Sequence, residues 1–74
     1  MEHPRIHRDP KIMMGKPVIR GSRITVELVL RKLGAGMTRE QFVDEYPGIT
    51  DTDVSDALAF AADYLSREGL MAAE

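Results

Sequence analysis

The stretch GKPVIRGSRITV, residues 15–26, decides how this chain is read. An apolar run, Pro17-Val18-Ile19, leads into Arg20-Gly21-Ser22-Arg23, and Thr25 closes the segment. A Gly-Ser pair suits a tight turn that presents both flanking guanidiniums, because glycine reaches the positive φ such turns need. A threonine ahead of Val26-Glu27-Leu28-Val29 suits a helix start, since its hydroxyl accepts a bond from an unpaired N–H of the first turn. The stretch therefore predicts an anion-binding, arginine-edged turn that ends in a helix cap.

Working outward, the same start occurs three times, as ITVELV, MTREQF and ITDTDV. Each places an apolar residue before a threonine and a second apolar residue four positions after it. The pairs Ile24 with Val29, Met37 with Phe42 and Ile49 with Val54 have the spacing of a hydrophobic staple, and Thr38 with Gln41 fits a capping box. The stops agree. Helices are predicted over 26–33, ending at Gly34-Ala35-Gly36; over 39–46, cut by Pro47-Gly48; and over 51–67, ending at Gly69. Their core faces are Val26, Val29, Leu30 and Leu33; then Phe42, Val43 and Tyr46; then Val54, Ala57, Leu58, Ala61 and Leu65. Upstream, Pro4, Pro10 and Pro17 exclude a helix. Residues 5–8 and 17–20 read as short strands, with Asp9-Pro10 and Met14-Gly15 as turns. The expected fold is mostly α: one domain over 1–74, with a β-ribbon and turn over about 5–24 and a three-helix, helix-turn-helix bundle over 25–69.

The chain has 74 residues, enough for a single small core. Domains of this size bury roughly 60% of their unfolded surface and are often completed by a partner or a second copy. Without cysteine, neither a disulfide nor a thiolate metal site can help. No apolar run approaches the roughly 20 residues of a membrane span. MEHPRIHRDP lacks the apolar core of a signal peptide, so a cytoplasmic protein is expected. Net charge is −2, but residues 1–39 hold nine Lys and Arg against three acids, and residues 40–74 hold Arg67 against nine acids. That segregation predicts two surfaces with different partners.

The basic surface would use Lys16, Arg20, Arg23, Arg8 and Arg39, the residues expected to contact DNA if the ribbon lies in a groove. Arginine is the usual bidentate reader of guanine and phosphate. The competing reading has Arg20 or Arg23 capping a helix or pairing with an acid such as Asp44 or Glu45. The third helix begins TDTDVSD, and Asp51, Asp53 and Asp56 would face phosphate, so base reading through it is not expected. The acidic surface would use Asp53, Asp56, Phe60, Asp63 and Tyr64, an apolar patch ringed by carboxylates and suited to a basic protein or a second copy. His3 and His7, even with Asp9, make no preorganised catalytic or metal set, so no catalytic residue, metal or cofactor is expected.

From Asp9-Pro10 through GKPVIRGSRITV, the Ala35-Gly36 pair, the Thr38–Pro47 helix ending in YP, and the alanine-rich Thr50–Tyr64 segment, the chain closely resembles the bacterial family called domain of unknown function 433. The resemblance covers about residues 6–66. It implies a homeodomain-like three-helix fold with an N-terminal ribbon. It also implies a VapB-like, non-enzymatic antitoxin of a type II toxin-antitoxin pair, which neutralises a PIN-like ribonuclease toxin and regulates its own operon by binding operator DNA. A homodimer is expected, because a short ribbon leaves open edges. Inhibition is expected to use the folded body, since only Leu70–Glu74 follow Gly69. The alternative is a stand-alone helix-turn-helix-like DNA-binding transcriptional regulator.

Overall fold

A computed structural model describes residues 3–67. The elements run β1 (Ile6–His7), β2 (Val18–Ile19), α1 (Val26–Gly34), α2 (Arg39–Glu45) and α3 (Asp51–Arg67). The chain is thus a three-helix, mostly α domain with a small antiparallel hairpin at its N-terminal side. The expected stop at Gly69 and the residues after it lie outside the described residues.

The opening stretch is both a turn and a helix entry. β2 pairs with β1 on one edge, Ile6 facing Ile19 and His7 facing Val18. On its other edge Val18 bridges Thr25, and the Ile19 N–H donates to the Ile24 carbonyl at 2.8 Å. Arg20 to Arg23 make the reversal between these edges. Gly21 sits at φ +82°, a conformation that disfavours any side chain. The Ser22 hydroxyl donates to the Ile19 carbonyl at 2.7 Å and accepts from the Ile24 N–H at 3.0 Å. These bonds replace what a longer ladder would supply.

All three threonine starts are helix caps. Thr25 accepts from the Leu28 N–H at 2.9 Å. Thr38 and Gln41 form the reciprocal capping box. Thr50 accepts from the Asp53 N–H at 3.1 Å, and the Asp53 carboxylate accepts from the Thr50 N–H at 3.0 Å, so aspartate takes the place Gln41 holds in α2. The staple residues Val29, Phe42, Ile49 and Val54 are buried in one core with Ile6, Ile19, Val26 and Ala57, and Ile24 and Met37 pack against it. Two expected core positions fall outside it. Leu30 is 41% and Leu65 39% exposed, because each lies one step around its helix from the residues facing inward and no layer among the described residues covers that side.

The connector between the strands carries local strain. Met13 (φ 49°), Met14 (φ 58°) and Gly15 (φ 84°) are three successive left-handed residues. Each methionine costs about 1–2 kcal/mol there. Met14 is 89% exposed, so packing does not offset that cost. Met14→Gly is expected to stabilise the chain by about 0.5–1 kcal/mol, and Gly21→Ala to destabilise it by about 1 kcal/mol, both read by urea denaturation. Equal stabilities for the two variants would contradict the backbone account.

Candidate functional site

Asp53, Asp56, Phe60 and Asp63 recur at three- and four-residue spacing, so α3 carries them on one face. That face is turned toward the N-terminal arm, residues 3–7, and not left open. The Arg5 guanidinium donates to Asp53 Oδ1 at 3.2 Å. The Arg5 backbone N–H donates to Asp56 Oδ2 at 3.0 Å. His3 Nε2 lies 2.8 Å from Asp63 Oδ2, and its ring stands edge-on to Phe60 at a centroid distance of 5.7 Å. Phe60 stacks in turn on Tyr64. All five residues expected to bind a partner therefore hold, or support the holding of, the chain's own arm.

Asp53 is 7% exposed. One carboxylate oxygen caps the helix and the other takes Arg5, so the buried charge is met by two donors. The His3 side chain is 7% exposed. Its Nδ1 lies 3.7 Å from Asp56 Oδ1, beyond hydrogen-bond reach, and has no partner among the described residues. The role of His3 as an anchor was missed from sequence, where it is weighed only as a catalytic or metal-binding group. The available signal was spacing: residues 3 and 5 fall on one face of an extended arm, and the acids of α3 fall on one face of a helix.

Most of the expected basic face is also engaged within the chain. Lys16 and Arg31 both pair with Glu27. Arg20 donates from Nε to the Pro4 carbonyl at 2.9 Å, so it braces the arm and meets neither Asp44 nor Glu45. Arg39 pairs with Asp51 at 2.8 Å and reaches the Asp51 carbonyl and Ser55. Arg8, Lys11 and Arg23 are exposed and form no ion pair among the described residues. Arg23 lies beside His7, Ile12 and Val18 at a shallow cleft in the ribbon.

A second feature lies between α1 and α3. Pro17, Val26, Leu30, Phe60, Ala61, Tyr64 and Leu65 line an open, mainly apolar groove of about 190 Å³, with Glu27 the one charged residue on its wall. Leu30, Tyr64 and Leu65 are its exposed large apolar members. Of the expected partner residues, Phe60 and Tyr64 thus serve two sites: one side supports the arm and the other lines the groove. Among the described residues no group of three or more His, Cys, Asp or Glu is placed to hold a metal ion. No helix among them is long and apolar enough to cross a membrane.

This architecture is that of an established family. The chain belongs to the family described as Protein of unknown function (DUF433), whose model matches residues 6–61. Among solved structures, a DUF433 member protein from Anabaena variabilis matches with a TM-score of 0.76 and 27% identity, over 86% of this chain and 66% of that one. The chain spans just under two thirds of that protein's length. No curated protein matches it.

Two measurements test the site. Asp53→Ala removes a cap acceptor and strands the Thr50 N–H, and should cost about 1–3 kcal/mol in urea denaturation. Asp44→Ala, at an exposed acid without an ion pair among the described residues, should stay within about 0.5 kcal/mol. Acid titration tests the exposed pairs. Lys16 and then Arg31 hold Glu27 below the ordinary carboxylate range, and Arg39 does the same for Asp51. Their contribution is present above the unfolded carboxylate values, near about pH 4, and is lost as pH falls through the lowered folded values. Arg39→Ala should flatten the stability curve below that point; an unchanged curve would contradict the Asp51 assignment.

Proposed function

We propose that the chain is a non-enzymatic antitoxin of a type II toxin-antitoxin pair, a cytoplasmic homodimer that binds and neutralises a PIN-like ribonuclease toxin. The family resemblance supplies the class of partner. The observation that supports a docking place is the apolar groove between α1 and α3, where Leu30, Tyr64 and Leu65 are exposed beside one another. Clustered apolar exposure of this kind on a small domain marks an interaction site. A groove between two helices fits an amphipathic helix of the toxin, laid with its apolar face inward. The acidic face of α3 fits that role less well, because Asp53, Asp56 and Asp63 already hold the arm.

A second reading, a stand-alone DNA-binding regulator, draws on the ribbon. Among the described residues of the ribbon, Arg8, Lys11 and Arg23 are the cations left for phosphate, whereas Lys16, Arg20 and Arg39 are held by partners of the same chain. In a homeodomain-like, VapB-like helix-turn-helix arrangement the start of the last helix would enter the groove. Here that start carries Asp51 and Asp53, which disfavours base reading there. Operator binding, where it occurs, is therefore assigned to the ribbon.

Purification of the tagged full chain with its neighbouring toxin separates the two readings. Leu30→Lys with Leu65→Lys should lose the nuclease and restore its ribonuclease activity while leaving the fold intact by circular dichroism. Arg8→Ala with Arg23→Ala should keep the nuclease and weaken operator binding. Retention of an inhibited nuclease by the double lysine variant would overturn the groove assignment.

A further inference from the structure

We propose that the N-terminal arm, residues 3–7, is exchanged between two copies of this chain, so that His3 and Arg5 of each copy dock on Asp53, Asp56 and Asp63 of the other. The proposal rests on the homodimer of the preceding reading and says what holds it together.

Four observations carry it. First, the arm is attached at a distance: its acceptors lie 48 to 60 residues away along the chain, on α3. The same acceptors on a second copy are chemically identical, so exchange conserves every contact. Second, the attachment is largely polar and directional. Three carboxylates receive an imidazole, a backbone N–H and a guanidinium, and Ile6 is the arm's one buried apolar residue. A site of this kind specifies its occupant without requiring that the occupant be in cis. Third, the connector is strained in the closed form. Met13 and Met14 hold left-handed backbone conformations, and the turn around them is closed by three backbone bonds, from the Ile12 N–H to the Asp9 carbonyl, the Gly15 N–H to the Ile12 carbonyl and the Lys16 N–H to the Met13 carbonyl. Extending the connector removes the strain and returns those groups to water, and strained hinge loops invite exchange of this kind. Fourth, the reach suffices. Residues 8–17, drawn out, span roughly 33 Å, about the 30 Å middle dimension of the molecule.

The geometry also says what stays behind. β2 remains with the body, tied to Ile24 and Thr25 on its far edge. Its near edge, including the Arg20 N–H that donates to the Arg5 carbonyl at 2.7 Å, is then paired by the arm of the other copy. Ile6 fills the same core position from outside. Each copy is incomplete without the arm it receives.

The test uses the full chain, which contains no cysteine. Ile6→Cys with Ile19→Cys places one cysteine on the arm and one on the body, facing each other across β1 and β2. Oxidised at high micromolar concentration and run without reductant, this variant should form a covalent dimer. In parallel, sedimentation of the cysteine-free chain should show a dimer, and Met13→Gly with Met14→Gly should weaken it by about tenfold by relieving the closed connector. The glycine pair leaves the core intact, so it reports even where the cysteine pair fails to fold. A strictly monomeric chain, or a dimer indifferent to the glycine pair, overturns the proposal. A dimer whose cysteines link only within one chain defeats arm exchange and leaves the homodimer itself standing.

Discussion

The structure depends on one buried carboxylate. Asp53 sits at the first turn of α3 with 7% of its surface exposed. A charge in that position is tolerated only where donors meet it. One oxygen takes the Thr50 N–H and completes the helix start; the other takes the Arg5 guanidinium. The same group thus sets where α3 begins and where the N-terminal arm lies. With Arg5 fixed, its backbone N–H reaches Asp56, its carbonyl pairs with the Arg20 N–H, and Ile6 enters the core opposite Ile19. The arm, the hairpin and the long helix are one unit because that carboxylate has two partners.

This changes the meaning of the charge pattern. A basic front and an acidic back suggest two exposed fields, each seeking a partner. In the fold, front and back meet each other in part: His3 and Arg5 on the acids of α3, Lys32 near Glu45, and Arg39 on Asp51. What remains for other molecules is smaller and more specific. The ribbon keeps Arg8, Lys11 and Arg23, and the α1–α3 side keeps a mainly apolar groove.

The helices were legible because their starts and stops are local. Thr25, Thr38 and Thr50 cap as their spacing predicts, and Gly34 and Pro47 stand at the ends of the first two helices, each end within one residue of expectation. The Arg20–Arg23 reversal was legible for the same reason, since Gly21 and Ser22 act on their neighbours. The site was only half legible. Asp53, Asp56, Phe60, Asp63 and Tyr64 do form one surface, as helical spacing requires. What covers it was not visible, because the occupant comes from the other end of the chain. Leu30 and Leu65 fit the apolar periodicity of the core yet lie on the groove. Periodicity marks an apolar face and does not say how far the neighbouring layer extends.

Amide hydrogen exchange on the full chain tests the central claim most directly. The Arg5 N–H is bonded to Asp56 and the Arg20 N–H to the Arg5 carbonyl, and both bonds exist only while the arm is docked. The account predicts that these two amides exchange well below the unfolded rate and that Asp53→Ala, which removes the anchor, speeds them. Arg5 and Arg20 exchanging at the unfolded rate, while amides within α3 stay protected, would show an undocked arm and would contradict the account.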